Sequence, residues 1–317
     1  MNDRGRTGIG IACGAGAGAL WGLVFLAPAI AHAAGPLQLT IGRYLAYGLI
    51  AALLVAPRWR ALAPHVGRRE WLALGWLALA GNTVYYVLLA SAVQLGGIAM
   101  TSLVIGFLPV AVTVIGSRES GAVPLARLLP SLALCAVGAL CIGWQAVADL
   151  AAAASAAPLI GLLCAVGALL SWTAYAVGNS RWLVRLDRVS AHDWNLLTGL
   201  VTGAQSLLLI PLSLLVGGWP GTGRDWGLLA GVSIGLALLA SIAGGALWNR
   251  MSRLLPLTLV GQMILFETLF ALLYGFLWES RLPTGLEAAA FAAVVAGVLS
   301  CIAAHRRPET AFHGPTA

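Results

Sequence analysis

Long apolar runs without charged residues follow one another along almost the whole sequence of 317 residues. Each run is close to the ~20 residues that an α-helix needs to cross a hydrocarbon core of ~30 Å. Hydrophobic residues make up 60% of the chain and charged residues only 9%, which is outside the range of water-soluble domains. Transmembrane β-strands would alternate in hydropathy, and these runs do not. The sequence therefore predicts an all-α integral membrane protein.

The runs predict ten transmembrane helices with short connections between them, which leaves almost no chain for a soluble domain. The predicted spans are 8–30, 37–56, 71–92, 97–116, 126–147, 158–178, 194–216, 226–247, 256–278 and 284–304.

The arginines predict how these spans are oriented, since all 18 basic residues are arginine. With a cytoplasmic N-terminus, every arginine but three falls in a cytoplasmic segment. The exceptions are Arg224 and Arg281 in external segments and Arg43 within the second span. This positive-inside bias predicts that both termini lie in the cytoplasm. The net charge of +7 then reflects topology and attraction to anionic lipid, and gives no indication of nucleic-acid binding.

The two halves of the chain resemble each other. The fourth span leads into SRESGAVP and the ninth ends in LWESRLP, so a Glu-Ser pair comes shortly before a proline in both. The first span contains GALWGLVF and the sixth GALLSWTAY. Because each half has an odd number of spans, the second copy enters the membrane from the opposite side. Residues 1–150 and 151–317 are therefore predicted to form two inverted five-helix repeats of one membrane domain, around a central cavity.

Several of these residues carry a resemblance to a known family. They are the pair Trp21 and Gly22, Arg43 early in the second span, Pro109 in the fourth, and the glutamates that close the fourth and ninth spans, Glu119 and Glu279. Together they resemble the EamA-type drug/metabolite transporter superfamily, and within it the bacterial amino-acid exporters of the YddG type, over residues 8–304. The resemblance implies a multi-pass protein of the bacterial inner membrane, with ten helices around a central cavity and transport by alternating access. Where many members have a second proline, this chain has Phe266, Glu267 and Thr268, so a kink in the ninth helix is not implied.

Glu267 is a carboxylate in the middle of the ninth span. A charged side chain at the centre of a helix costs roughly 2.5–3.5 kcal/mol on insertion scales, so we do not expect Glu267 to face lipid. The favoured interpretation is a structural ion pair or hydrogen bond with Arg43, whose depth differs by only ~7 Å. In the alternative interpretations Glu267 binds a substrate ammonium group or carries a coupling proton, and Arg43 binds a substrate carboxylate.

Other aromatic and polar side chains within the spans either line a cavity for flat or apolar substrates or pack between helices. Tyr85 and Tyr86 point about 100° apart on a helix, so we expect no more than one of them to face the cavity centre. Pro109 is the candidate hinge, because proline interrupts a helix. The aromatic candidates are Trp21, Tyr85, Tyr86, Trp172, Tyr175 and Tyr274, and the polar candidates are Asn82, Gln94, Asn249 and Gln262.

Glycines recur every four residues in two of the spans. This spacing predicts a smooth stripe on each helix, against which a neighbouring helix can pack closely. The stripes are Gly10, Gly14 and Gly18 in the first span and Gly227, Gly231 and Gly235 in the eighth.

The sequence contains no nucleotide-binding loop with lysine, no zinc-protease motif and no metal-ligand spacing among its five cysteines. We therefore expect no enzyme, metal or cofactor, and no ATP-driven transport. The expected function is secondary export of small neutral or zwitterionic metabolites, amino acids first, including aromatic ones, with proton coupling as an option. The alternatives are export of other metabolites or drugs, nucleotide-sugar transport, and a scaffold or receptor that transports nothing. A phosphorylated substrate would require several cationic groups, whereas the membrane interior supplies one arginine.

Overall fold

The structure, a computed structural model, describes residues 3–116, 125–153, 155–255 and 257–306. Within these ranges the chain forms helices and contains no strand. The helices are α1 (Asp3–Ile30), α2 (Pro36–Val55), α3 (Trp59–Leu62), α4 (Arg68–Ala78), α5 (Val84–Ile105), α6 (Leu108–Gly116), α7 (Leu125–Ala153), α8 (Ala157–Arg185), α9 (Ala191–Val216), α10 (Gly223–Leu236), α11 (Gly245–Leu254), α12 (Leu257–Glu279) and α13 (Gly285–Arg306).

The predicted all-α membrane fold is confirmed. In the described part of the chain, six helical stretches are long and apolar enough to cross a bilayer. They are Gly8–Ile30, Pro36–His65, Arg68–Ile105, Ala157–Arg185, Ala191–Val216 and Gly223–Leu254.

Two of these stretches contain a wide π-helical turn. Residues Leu79–Thr83 join α4 to α5, and residues Ala237–Gly244 join α10 to α11. A π turn widens the helix and disturbs the regular i to i+4 hydrogen bonding, and such turns are frequent at functional sites. Carbonyl groups in these turns accept hydrogen bonds from the side chains of neighbouring helices.

A glycine and a proline mark two further irregularities. Gly97 has a φ of +83°, a backbone conformation that favours glycine, and it bends α5 near its middle. The helical run then breaks at Gly106 and Phe107 and resumes at Leu108, immediately before Pro109. Proline has no N–H to donate to the carbonyl four residues earlier, which explains a break at this point.

The first helix packs against α12 through its glycines. A Cβ at Gly14 would meet Met263 at 2.7 Å, and a Cβ at Gly18 would meet the backbone nitrogen of Glu267 at 2.8 Å. The predicted stripe on α1 is therefore confirmed as a packing surface. The α1–α12 contact is among the most extensive in the fold, together with α2–α9, α5–α8 and α7–α13.

The second predicted stripe is wrong. Among the described residues, no atom from another helix lies within 4 Å of the Cβ positions of the α10 glycines Gly227, Gly231 and Gly235. The buried face of α10 consists instead of Leu229, Ser233 and Leu236. This face packs on α2, where the small residue is Gly42, whose Cβ position points at Ser233.

The two stripes allow a matched test of packing. We expect Gly18→Ala to lower the free energy of unfolding by about 1–3 kcal/mol, because the added methyl group meets backbone atoms of α12 that have no room to move. Gly231→Ala should leave stability unchanged or slightly raised, because its Cβ position is open and alanine favours helix. Thermal unfolding of the purified variants in detergent measures both effects. Equal losses from the two substitutions would contradict the packing described here.

Candidate functional site

A cavity lies between helices from both halves of the chain. About 40 Å³ of it is open to the centres of water molecules, and about 10–15 Å³ of such space holds one water. It therefore has room for a few waters or part of a small ligand. Its walls come from α1, α2, α5, α8, α9, α11, α12 and both π turns, through Trp21, Val24, Arg43, Tyr44, Tyr47, Gly81, Asn82, Tyr85, Trp172, Tyr175, Asn195, Thr198, Ala240, Ser241, Gly245 and Glu267.

The structure brings most of the predicted site residues together in this cavity. Tyr86 is fully buried but does not line it, whereas its neighbour Tyr85 does. The hydroxyl of Tyr274 instead donates a hydrogen bond to the carbonyl of Ala19. The side chain of Gln262 lies outside the described residues. The predicted residues that do line the cavity are Trp21, Arg43, Asn82, Tyr85, Trp172, Tyr175 and Glu267.

Arg43 is held by aromatic rings and one hydroxyl group. Its guanidinium carbon lies 4.9 Å from the ring centroid of Tyr44 and 4.5 Å from that of Tyr86, a cation–π arrangement. Its Nε donates to the hydroxyl of Ser241 at 3.2 Å. Its Nη1 is buried and has no hydrogen-bond partner among the described residues. Arg43 therefore keeps an unused donor at the cavity.

Glu267 is 3% exposed, and its Oε2 also has no hydrogen-bond partner. Among the described residues no salt bridge joins it to Arg43, so the predicted structural ion pair is not formed. The contacts of the guanidinium are instead with Tyr44, Tyr86 and Ser241. The cavity thus contains one guanidinium group and one carboxyl group that are not joined by a direct contact.

The carbonyls of both π turns are held by side chains from other helices. Trp21 Nε1 of α1 donates to Ala240 O at 2.9 Å in the second turn. Ser171 Oγ of α8 donates to Ala80 O at 2.7 Å in the first turn. Asn195 Nδ2 of α9 donates to Ser241 O at 3.1 Å. These bonds fix the widened backbone that forms part of the cavity wall.

Aromatic rings form the apolar wall of the cavity. Trp172 lies at their centre, with its ring centroid 5.7 Å from that of Trp21, 5.2 Å from Trp248, 5.6 Å from Tyr175 and 6.3 Å from Tyr85. Ring pairs at these separations pack with edge-on or tilted geometry and have few ways to move. The wall is therefore suited to a flat or apolar group.

Some residues that line the central cavity were not predicted from the sequence. Tyr47 lies four residues after Arg43 and so on the same helix face, a signal that was available in the sequence. Asn195, Thr198 and Ser241 carry no such signal, because they reach the cavity only through contacts between distant helices.

No family model matches the chain. Over 314 residues it is 32% identical to the inner membrane protein YtfF of Escherichia coli (strain K12), an alignment that covers 92% of this chain and 94% of YtfF. The chain belongs to the family of YtfF. It is therefore a multi-pass inner membrane protein. A protein of solved crystal structure, 22% identical, superposes with a TM-score of 0.64 over 96% of this chain and 100% of its own, which shows a shared fold.

The hydrogen bond from Ser171 to the first π turn can be tested with a matched serine. Ser171→Ala leaves the carbonyl of Ala80 without its side-chain donor, so we expect a loss of about 1 kcal/mol in the free energy of unfolding. Ser91 bonds only to Val87 O of its own helix, and Ser91→Ala should change stability much less. Thermal unfolding in detergent compares them, and a larger loss at Ser91 would show that the π turn does not need the bond.

Proposed function

We propose that the protein is a secondary transporter of the drug/metabolite transporter superfamily, and that it exports small zwitterionic metabolites with amino acids as the leading candidates. The observation that carries this proposal is a cavity lined by Arg43 and Glu267, whose Nη1 and Oε2 are buried and have no hydrogen-bond partner in the part of the chain that the structure describes. Buried polar atoms are normally hydrogen-bonded, so unpartnered ones at a cavity favour a ligand that supplies the missing partners. A carboxylate at Arg43 and an ammonium group at Glu267 fit this pattern.

The aromatic wall narrows the substrate class. Trp172, Tyr175 and Tyr85 face the same cavity as the two charges. They favour a substrate whose third group is apolar or aromatic. A nucleotide sugar fits less well, because its phosphates call for several cations and Arg43 is the one arginine among the lining residues.

We also propose that ten helices form two inverted repeats around this cavity. The two π turns lie in the third and eighth predicted spans. These spans occupy the same position in the two proposed repeats, because each is the third of its half. Trp21 of the first span holds one turn, and Ser171 of the sixth span holds the other. The pairs α2–α9 and α7–α13 each join the span of one half to its counterpart in the other. All these relations are expected of a pseudo-two-fold axis in the membrane plane.

One glycine pair supports the position of that axis. Gly48 of α2 and Gly203 of α9 approach each other so closely that a Cβ on either would lie 2.7 Å or 2.8 Å from the Cα of the other. The two glycines also occupy the same place in their helices, twelve residues after Pro36 and Ala191. A reciprocal contact between equivalent residues is what a two-fold axis produces. The substrate cavity then lies between the repeats, where alternating access operates.

Flux into proteoliposomes tests the proposed substrate class. We expect uptake of radiolabelled methionine, threonine or phenylalanine to exceed that of the matching amino-acid amide and N-acetyl amino acid by at least roughly tenfold, because each analogue leaves one buried charge unpaired. Arg43→Gln and Glu267→Gln should each abolish most of this flux, whereas Arg224→Gln in the predicted external segment should not. The same assay with an imposed pH gradient tests proton coupling at Glu267.

The outcomes separate the competing functions. Flux of a nucleotide sugar without flux of amino acids would replace the proposal, and amino-acid binding without any flux would favour a receptor or scaffold. Glu267→Gln should keep the thermal stability of the parent, because within the described chain Oε2 has no hydrogen-bond partner and the carboxylate forms no salt bridge. Loss of both stability and flux in this variant would indicate a structural carboxylate instead.

The proposed orientation places both termini in the cytoplasm. It is supported by the 2.6 Å ion pair between Arg58 and Asp193, which brings together two connections that are both predicted to be cytoplasmic. We expect a green fluorescent protein fused to the C-terminal end to fluoresce, and alkaline phosphatase at the same position to be inactive. Phosphatase inserted at Gly221, in a predicted external connection, should be active. The reverse pattern would invert the topology.

A further inference from the structure

A second groove lies at one end of α4 and α8, away from the central cavity. Its floor is apolar, with Leu72 64% exposed and Trp76 40% exposed, and Arg69 and Arg185 stand at its edge. Its volume is about 490 Å³, compared with about 40 Å³ for the central cavity. Its shape and size suit an elongated ligand better than a single ion.

The aromatic walls of the groove are already fixed in place. The ring of Trp76 lies directly over Gly178 of α8, where a side chain would collide with it. Trp182 stacks on Trp194 with 6.2 Å between ring centroids and 20° between planes. The guanidinium carbon of Arg185 lies 6.0 Å from the ring centroid of Trp182. A ligand therefore meets a surface that needs little rearrangement to bind it.

The groove has a surplus of positive charge. Neither Arg69 nor Arg185 forms an ion pair within the described chain. Among the described residues that line the groove the one carboxylate is Glu70, which accepts a hydrogen bond from the backbone N–H of Gly67 at 2.8 Å and so caps the first turn of α4. Two arginines are thus left to bind an anion from outside the chain.

We propose that this groove binds an anionic phospholipid of the cytoplasmic leaflet. The phosphate would lie between Arg69 and Arg185, and an acyl chain would lie along Leu72 and Trp76. Basic pockets between membrane helices on the cytoplasmic side bind such headgroups, and this end of α4 and α8 is the arginine-rich, predicted cytoplasmic end. A free phosphate would use the arginines alone, whereas a lipid also covers the exposed apolar floor.

Native mass spectrometry of the detergent-solubilised full chain tests the proposal by counting bound phosphatidylglycerol and phosphatidylcholine. We expect phosphatidylglycerol to bind more tightly, and the double variant Arg69→Gln with Arg185→Gln to lose about tenfold in affinity. The control is Arg60→Gln with Arg188→Gln, which removes the same charge from exposed arginines at the same end, outside the groove, and should bind phosphatidylglycerol as the parent does. Thermal unfolding confirms that both variants are folded.

Three outcomes would overturn the proposal. Equal losses in the two double variants would show a diffuse charge effect with no defined site. Equal binding of phosphatidylcholine would show that the arginines do not select the headgroup. Displacement of phosphatidylglycerol by millimolar inorganic phosphate would show that the groove binds the free anion and that the apolar floor contributes nothing.

Discussion

In hydrocarbon every backbone N–H and C=O must find its partner within the protein, and the rest of this structure depends on that constraint. Regular helices meet it by themselves, which is why the described chain is helical almost throughout. The π turns at Leu79–Thr83 and Ala237–Gly244 do not. They are stable because Ser171 and Trp21 reach across from other helices to their carbonyls. The cavity therefore lies where the helices are widened and where polar side chains are needed to support them.

The sequence predicted the charged and aromatic parts of the site because a costly residue in an apolar run has few places to lie. Arg43 and Glu267 had to face the interior, and both do. The π turns were not predicted, since neither LAGNT nor ALLASIAG contains a proline that would mark a change in the helix. Packing was predictable only in part. A four-residue glycine spacing shows that a helix has a smooth face, but not whether a neighbour covers it, as the contrast between α1 and α10 illustrates.

The predicted pairing of Arg43 with Glu267 shows that the depth of a side chain can be predicted from the sequence, whereas its direction cannot. Depth in the membrane follows from counting residues at 1.5 Å each, so two side chains can be assigned similar depths from sequence. Their directions around the helix axes depend on neighbours from other helices. For Arg43 those neighbours are Tyr86 and Ser241, which lie 43 and 198 positions further along the chain and contact the guanidinium in place of the carboxylate. Contacts at such separations leave no periodic signal in one sequence.

Two opposite charges that share a cavity without touching lower the stability of the empty protein. Each has lost hydrating water, and neither has gained an ion-pair partner in return. A direct ion pair, or two apolar residues, would make the empty protein more stable. The separated arrangement becomes favourable when a molecule with both charges lies between them and satisfies both at once. If the proposed zwitterion is the substrate, closing the cavity costs less free energy when the substrate is bound than when the cavity is empty. The protein then changes between its inward-open and outward-open conformations mainly when the substrate is bound. This dependence on bound substrate makes the transport selective.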